Sequence, residues 1–346
     1  MSKKGLYIYG IINSNAKKQF GCKGLMEGNA VHTIPYQNIA AVVSDSEIID
    51  GAKTKDFVIR QLVGHQRVIE TVMADHTIIP VRLGLFALDE NEVREILNKG
   101  YKLVCDIFEK IKNKIEMDLA VTWGDFDLFL KTLGEEKEIK DLKNKFLAAS
   151  KTNIEDKQIE IGALVQKRVD EKRKKIAFEI EDYLKNFYKD FKANHLLDNK
   201  TIASMAFLIN KKLLEDFYDN VELLDTHFAS KLNFRCVGPL PAYSFYTLDV
   251  KKMTFEEIDM ARKKLCLGEI TTKDEIAKAY REKAAFLHPD KNPDKPGIEK
   301  EFDKIVAARA TIVDYCNACE QVERSDNYIF NEEEFRKNAI LVKLKG

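Results

Sequence analysis

The sequence predicts an α+β body, about residues 1–250, followed by an all-α helical module. Strand-like runs alternate with amphipathic helical patterns along the body, an order typical of helices packed on an antiparallel sheet. A Pro-rich stretch, residues 238–245, lies between two β-type runs. Because each proline removes a backbone donor and neither fits inside a helix, this stretch indicates a rigid corner between strands. Beyond Val250 the pattern changes to charged, amphipathic helices.

The composition is that of an ordinary globular protein. The chain has 346 residues, which is room for two or three domains, and its 56 basic and 56 acidic side chains balance, so no overall field attracts nucleic acid or anionic membranes. Six scattered cysteines are typical of reduced thiols in the cytoplasm. The N-terminal apolar run has seven residues and no cleavage signal, and no run reaches the length of a membrane span. We therefore expect a soluble, cytoplasmic protein that binds neither nucleic acid nor membrane.

The first predicted domain, residues 1–114, is an N-terminal α+β domain. Its strand-like runs are rich in β-branched and aromatic residues and cover residues 6–12, 30–36, 39–44 and, interrupted by Pro80, 77–87. Helical spacing predicts one helix over residues 54–74 and two shorter ones over residues 89–97 and 101–111. A segment with Gly21, Gly24 and Gly28 leads into a strand rather than a helix, so we interpret it as a polar loop and not as a phosphate cradle.

The second predicted domain, residues 115–250, has the order strand, helices, strand, helix, strand, strand. The predicted strands cover residues 116–124, 201–209, 232–237 and 243–250, and a helix covers residues 211–224. A long helix over residues 155–191 has an apolar stripe that ends in Phe187 and Phe191. We interpret the stripe as a core face by default, while a partner surface or a coiled-coil seam stays open. The order favours a ferredoxin-like α+β domain with a long helix.

The third predicted domain, residues 251–320, is helical, and residues 321–346 form a C-terminal tail. Helices are predicted over residues 253–267, 273–287 and 297–315. Thr272 and Glu275 have the spacing of a capping box at the start of the second helix, and His288-Pro289-Asp290 follows its end. In the tail, residues 332–345 have the pattern of a short amphipathic helix with no assignable role.

Four stretches of the body resemble the gas vesicle GvpL/GvpF family. They are residues 6–10, His65 with the apolar positions of its next turn, residues 79–84 and residues 238–245. The resemblance spans about residues 5–250, and its motif positions are Pro80, Arg82, Gly84, Gly238, Pro239, Pro241 and Tyr243. The family often has tryptophan and proline where this chain has Leu240 and Ala242.

This resemblance implies a minor, non-enzymatic component of gas vesicles, the gas-filled, protein-walled buoyancy organelles of prokaryotes. It implies binding to the hydrophobic shell protein or to other accessory vesicle proteins during assembly. An insoluble, sheet-forming subunit needs a partner that covers its strand edges and apolar patches before it is incorporated. We therefore expect vesicle proteins as partners and the gas vesicle as the location.

The helical module, over about residues 254–315, resembles a J-domain, through which DnaJ-type co-chaperones stimulate DnaK-type ATPases. The resemblance implies chaperone-binding positions in the loop and on the second helix, namely His288, Pro289, Asp290, Lys278, Tyr280 and Arg281. Basic side chains on that helix suit electrostatic steering towards an acidic surface. The chain departs from the family pattern at Ala277, Glu282 and Phe286, where basic residues are usual, and this weakens the basic surface. It also has Lys283 in place of a leucine of the helix-packing face.

Two functions therefore stay open. The first is a vesicle assembly protein with a J-like module that recruits a DnaK-type chaperone. The second is a general DnaJ-type co-chaperone that stimulates a DnaK ATPase, with the body as its client-binding part.

The sequence has no recognisable motif of an enzyme, and we expect no cofactor and no metal. His288 and Asp290 have no nucleophile beside them. Cys316 and Cys319 are a single pair, whereas a zinc site needs two further ligands. Arg82 is interpreted as a partner in a structural salt bridge.

Overall fold

The computed structural model describes residues 3–25, 29–48, 54–148, 154–196, 198–229, 231–293, 295–321 and 326–345. Spatial contacts divide the chain into two compact units. Unit 1 consists of residues 1–110 together with residues 246–346, and unit 2 consists of residues 111–245. Unit 1 thus contains both ends of the chain, whereas the predicted boundaries at residues 114, 250 and 320 follow chain order and stay a prediction. No helix among the described residues is long and apolar enough to cross a membrane.

The N-terminal half of unit 1 is a six-stranded antiparallel sheet with two long helices. Its elements are β1 (Lys3–Ile12), β2 (Gln19–Lys23), β3 (Ala30–Tyr36), β4 (Ile39–Ile48), α1 (Lys55–Met73), β5 (Ile78–Pro80), β6 (Phe86–Ala87) and α2 (Glu90–Ile111). The strands lie in the order β2-β3-β4-β1-β5, and β6 also pairs with β1. The aromatic and β-branched runs of β1 and β4 are almost fully buried, as expected for the central strands of a sheet.

Three predictions for this half are wrong in detail. The glycine segment contains strand β2, with Gly21 inside it and Gly24 just after it, while Gly28 lies outside the described residues. The run over residues 77–87 is two short strands, because a turn at Gly84, with φ of 90°, separates them. The two helices predicted after residue 88 are one helix, α2, which continues through Gly100. A glycine is needed there, since a Cβ would come within 2.8 Å of a neighbouring side chain.

Unit 2 has the predicted ferredoxin-like arrangement. Its elements are β7 (Lys114–Trp123), α3 (Phe126–Gly134), α4 (Lys137–Ala148), α5 (Ile154–Leu184), β8 (Tyr188–Ala193), β9 (Thr201–Asn210), α6 (Leu214–Phe228) and β10 (Leu232–Leu240). The four strands pair antiparallel in the order β10-β7-β9-β8. This is the order of a split βαβ motif, in which the first and third strands are central.

Two predicted boundaries in this part of the chain are wrong. Helix α5 ends at Leu184, and Phe191 belongs to strand β8, where it pairs with Phe207 of β9 and packs against its ring at 5.3 Å. Phe187 also lies beyond the helix. The strand predicted over residues 243–250 begins only at Leu248, because residues 242–245 form a turn that backbone hydrogen bonds hold closed.

The C-terminal half of unit 1 contains the helical module. Its elements are β11 (Leu248–Lys252), α7 (Phe255–Leu265), β12 (Ile270–Thr272), α8 (Lys273–Leu287), α9 (Ile298–Glu320), β13 (Asn327–Ile329), α10 (Glu332–Asn338) and β14 (Ile340–Leu344). β11 pairs with β14, and β12 pairs with β13, both antiparallel. The predicted capping box at Thr272 and Glu275 is present at the start of α8.

The tail is not the single amphipathic helix predicted over residues 332–345. It is a strand, a short helix and a strand, because its apolar side chains complete the core of the helical module. Four of them, Tyr328, Phe330, Phe335 and Leu341, are buried in one cluster with side chains of α7, α8 and α9. The module that folds together therefore extends to the end of the described chain.

The tail also fastens the module to α2 within unit 1. The Lys99 ammonium donates to the backbone carbonyl oxygen of Lys337 and, at 3.3 Å, to Oδ1 of Asn338. On β11, Lys252 forms an ion pair with Glu92 of α2 at 2.6 Å. These hydrogen bonds and this ion pair give the module several attachments to the N-terminal half of unit 1.

Candidate functional site

The candidate site is the His288-Pro289-Asp290 loop between α8 and α9. A single 3₁₀ turn, Pro289–Lys291, follows the end of α8. Nδ1 of His288 accepts a hydrogen bond from the backbone N–H of Asp290 at 3.2 Å. The side-chain amide of Asn292 donates to the carbonyl oxygens of Phe286 and His288, at 2.9 and 3.1 Å. The turn is therefore closed by its own hydrogen bonds.

Aromatic contacts fix the loop and α8 on α9. The His288 ring meets the Phe302 ring edge-on at 5.5 Å, and the Arg309 guanidinium lies 4.7 Å from the centre of the Tyr280 ring, within the range of a cation–π contact. Tyr280 is partly buried in the module core. The Asp290 side chain is 88% exposed. The loop is therefore held against α9, while the carboxylate of Asp290 is exposed to solvent.

The basic side chains predicted for chaperone contact lie on the exposed face of α8. Lys278 and Arg281 are exposed and three residues apart, so they project from one side of the helix. Neither has an ion-pair partner among the described residues, whereas Lys273, at the start of the same helix, is paired with Glu320 at 2.5 Å. Glu282 is also exposed and adds a negative charge next to Arg281. The surface beside the loop is basic but partly neutralised.

The first group of family motif positions builds a buried corner of unit 1 around Tyr7. The Tyr7 hydroxyl contacts Nδ1 of His65 at 2.8 Å and accepts from the backbone N–H of Gly84 at 3.1 Å. Burial raises the pKa of Tyr7 and lowers the pKa of His65 to about 4, so both groups are neutral at pH 7. The Tyr7 hydroxyl thus accepts from the Gly84 amide and shares a second hydrogen bond with Nδ1 of His65, whose direction is set by the tautomer of the ring.

The other two motif positions of this group, Pro80 and Arg82, lie at the end of strand β5 and just after it. Pro80 ends β5 opposite Gly10 of β1. Arg82 follows, and its side chain, 64% exposed, lies 3.4 Å from the Asp249 carboxylate. The backbone N–H of Arg82 donates to the carbonyl oxygen of Leu248 at 2.8 Å. The arginine therefore forms the structural salt bridge expected of it.

The second group of motif positions forms the end of β10 and the turn after it in unit 2. The carbonyl oxygen of Gly238 accepts from the Tyr218 hydroxyl at 2.9 Å, and the Gly238–Pro239 peptide bond is cis. A Cβ at position 238 would lie 2.4 Å from the sulfur of buried Met117. Pro241 is buried, and its carbonyl oxygen accepts from the backbone N–H of Tyr243 at 2.6 Å. These residues shape the backbone rather than a reactive site.

A buried carboxyl group that the sequence analysis missed holds this turn in place. Oε2 and Oε1 of Glu116, on β7, accept from the backbone N–H and the hydroxyl of Ser244 at 2.8 and 2.7 Å. Glu116 is 1% exposed, and burial raises the pKa of its carboxyl group to about 7. Asp118, two residues along β7, also has a raised pKa because of burial. Two carboxyl side chains, Glu116 and Asp118, at alternate positions of one predicted strand were the available sequence signal.

The described residues contain no group of three or more His, Cys, Asp or Glu side chains able to hold a metal ion. Cys316 and Cys319 lie in the core of the helical module. Burial raises the pKa of the Cys319 thiol to about 11 and raises that of Cys316 further. Both thiols are therefore protonated at neutral pH and belong to the packed core.

The fold and the loop together define a class of protein: a two-unit α+β protein with a J-type helical module. The model of the family described as gas vesicle synthesis protein GvpL/GvpF matches residues 5–247, and that of the DnaJ domain matches residues 252–316. The chain belongs to the GvpL/GvpF family and carries a DnaJ domain at its C-terminal side.

Relatives of the body are gas vesicle proteins. Gas vesicle protein F of Dolichospermum flosaquae is 23% identical over 247 residues, and that of Microcystis aeruginosa is 25% identical over 256 residues. Each match covers 70% of this chain and 98% of the relative. The crystal structure of GvpF from Anabaena sp. covers 71% of this chain and 98% of its own, with a TM-score of 0.60 and 22% identity. This structural likeness confirms the fold of the body.

Relatives of the helical module share only that segment. A chaperone protein DnaJ from Chlorobium phaeobacteroides is 51% identical over 41 residues, which is 12% of this chain and 10% of that protein. The likeness therefore confirms the J-type module and says nothing about the other parts of DnaJ.

Proposed function

We propose that this protein is a gas vesicle assembly factor that binds shell or other accessory vesicle proteins through its body and recruits a DnaK-type chaperone through its J-type module. The observation that carries the proposal is the coexistence, in one chain, of a complete GvpL/GvpF body and a closed, exposed His-Pro-Asp loop. Relatives of the body bear the name gas vesicle protein, and the loop exposes its Asp290 carboxylate to solvent.

The chaperone contact is proposed for the loop and the exposed face of α8. His288 and Pro289 set the turn, and Asp290 offers its carboxylate to the partner. Lys278 and Arg281 supply positive charges that no described residue pairs, and such charges raise the association rate with an acidic surface more than the final affinity. Tyr280, clamped between the module core and the Arg309 guanidinium, positions the helix.

The vesicle role has a physical basis in the needs of a shell subunit. Such a subunit exposes strand edges and apolar patches before it is incorporated, and these aggregate unless a partner covers them. A chaperone brought to the same complex acts on subunits that have begun to misassemble. The body and the module therefore serve one process.

The test uses the full chain and its Asp290→Asn variant. Wild-type protein is expected to raise the ATP turnover of the host DnaK-type chaperone, and the variant is expected to leave turnover at the basal rate. Asp274→Asn removes an exposed carboxylate at the other end of α8 and should stimulate as well as wild type. Absence of stimulation by wild-type protein would refute the chaperone contact.

A general co-chaperone is the second candidate, and the intact loop is the observation that favours it. The two functions differ in what happens to vesicles. If Asp290→Asn and His288→Gln abolish stimulation but leave vesicle assembly in the host unchanged, and the full chain does not retain purified shell protein, the general co-chaperone is the better account. Retention of shell protein together with reduced assembly in the variants supports the assembly factor.

A further inference from the structure

Phe286, one residue before the end of α8, is an apolar residue on the surface of the J-type module. It is 74% exposed, the largest fraction among the large apolar residues of the described part of the chain. A single exposed apolar residue needs no explanation by itself. Phe286 differs because it lies next to the surface proposed for the chaperone contact, just before the His288-Pro289-Asp290 loop.

Phe286 shares one face of α8 with a basic residue of that surface. Lys278, Glu282 and Phe286 follow one another at intervals of four residues, and positions with this spacing lie on one side of a helix. All three are exposed. Asp290, also exposed, comes four residues after Phe286 in the turn that follows the helix. The aromatic ring therefore lies between the basic part of α8 and the loop.

The backbone at Phe286 is fixed although its ring is exposed. The side-chain amide of Asn292 donates to the carbonyl oxygen of Phe286 at 2.9 Å and to that of His288 at 3.1 Å. The Lys295 ammonium lies 6.0 Å from the centre of the Phe286 ring, at the outer limit of a cation–π contact. An aromatic side chain with few rotatable bonds on an ordered backbone loses little conformational freedom on binding, which favours affinity.

The charge around Phe286 is positive on balance but includes carboxylates. Residues 278–295 contain five basic and three acidic side chains. Within the described residues neither Lys278 nor Arg281 takes part in an ion pair, while Glu282, one helical turn before Phe286, offsets part of their charge. Exposed charges of this kind contribute little binding energy and are screened by salt. An apolar contact beside them adds binding energy that screening does not remove.

We propose that Phe286 is an apolar anchor of the chaperone contact, packed against an apolar patch of a DnaK-type chaperone that acidic side chains border. This rests on the proposed function, because it assigns one further residue to the same surface. The chaperone is favoured over a vesicle protein as the partner, since Phe286 lies within residues 252–316, which the DnaJ domain model matches, and outside the body. Aromatic side chains are frequent among the few residues that dominate binding at protein interfaces.

The test measures how the full chain stimulates the ATP turnover of the host DnaK-type chaperone, titrated to saturation. Phe286→Ala is expected to raise the concentration of this protein that gives half-maximal stimulation about tenfold. Phe286→Leu keeps an apolar side chain and should lie between wild type and the alanine variant. Met260→Ala is the matched control: Met260, on α7, is 64% exposed, and its variant should stimulate like wild type.

Salt distinguishes an apolar anchor from a charged contact. Raising the ionic strength from about 0.05 M to about 0.5 M shortens the screening length from roughly 14 Å to roughly 4 Å. The effect of Lys278→Ala on half-maximal stimulation should therefore shrink at the higher ionic strength. The effect of Phe286→Ala should keep its size, because burial of apolar surface does not depend on screened charges.

The outcomes separate this inference from the proposed function. No stimulation by wild-type protein contradicts the chaperone contact and the anchor with it. Stimulation by wild type, with the same half-maximal concentration for Phe286→Ala as for Met260→Ala, overturns the anchor and leaves the chaperone contact intact. An effect of Phe286→Ala that disappears at the higher ionic strength also overturns it. So does a Phe286→Ala variant that stimulates like wild type but no longer retains purified shell protein, because the ring would then contact a vesicle protein.

Discussion

Replacing Phe335 with alanine tests whether the tail belongs to the core of the J-type module. Phe335 lies on α10, outside the segment that the DnaJ domain model matches. It is 8% exposed, and its ring centre lies 5.8 Å from that of Phe255 on α7 and 6.2 Å from that of Tyr315 on α9. Phe335 therefore joins the tail to the first and last helices of the module.

The expected loss follows from these contacts. Truncation of a buried phenylalanine removes its transfer free energy and leaves a cavity, which together cost about 3–5 kcal/mol. Because Phe335 is near the edge of the core and slightly exposed, we expect about 3 kcal/mol. With a urea dependence of about 2 kcal/mol per molar, the unfolding midpoint of the module should fall by roughly 1.5 M.

The measurement is urea unfolding of the full chain, monitored in parallel by far-ultraviolet circular dichroism and by tryptophan emission. Circular dichroism follows the helices of both units, whereas Trp123 lies in unit 2. Phe335→Ala should shift the part of the dichroism change that belongs to unit 1 to lower urea. Phe286→Ala, at a side chain that is 74% exposed, is the matched control and should leave the midpoint unchanged.

Two results would contradict this account of the tail. The first is an unfolding midpoint for Phe335→Ala equal to that of wild type, which would mean that the tail is not packed against the module in solution. The second is an equal shift for Phe286→Ala, which would mean that loss of any phenylalanine has this effect.

Three further predictions concern the motif corners. In the folded chain Glu116 keeps its proton up to about pH 7, while the unfolded chain loses it near the ordinary value of 4.5. The free energy of unfolding therefore falls as pH rises through this window, by on the order of 3 kcal/mol. Glu116→Gln, compared with wild type by urea unfolding at several pH values, should show a smaller fall, and the remainder belongs to Asp118, whose pKa is also raised. Tyr7→Phe leaves the Gly84 amide without its acceptor and should cost about 1–3 kcal/mol in the same assay; an unchanged midpoint would argue against the hydrogen bond. Gly238→Ala places a Cβ against the sulfur of Met117 and should cost about 1–3 kcal/mol in free energy of unfolding. Because Met117 is buried, Met117→Ala is destabilising on its own, so the test is that Gly238→Ala costs less in the Met117→Ala chain than in wild type; an equal cost in both would speak against the clash.

The sequence predicted the parts of the fold that local patterns specify. The alternation of strand runs and helices in residues 115–250 favoured a ferredoxin-like domain, and the structure has that strand order. Its second strand, β8, was however predicted as the end of a helix, and the strand predicted over residues 243–250 lies outside this sheet. The capping box at Thr272 and Glu275 and the loop at His288 were recognised because each depends on a few neighbouring residues. The family resemblance was carried in the same way, by short stretches whose backbone shape needs particular glycines and prolines.

The errors lie where a distant part of the chain decides the structure. Phe187 and Phe191 continue an apolar stripe of helical spacing, yet a helix and a strand both accept aromatic residues there. Phe191 is in a strand because it pairs with Phe207 of β9. In the same way, burial against Phe255 and Tyr315 decides the place of the tail.

By itself, the sequence determined the types of most of the long elements, the family of the body and the presence of a J-type loop. Only the tertiary structure decided that both chain ends form one unit, that Glu116 is a buried carboxyl group, and that the tail completes the core of the helical module. The physical reason is that local periodicity records which face of an element is apolar. The partner that covers this face, and the dielectric environment of a charge, depend on residues far away in the chain.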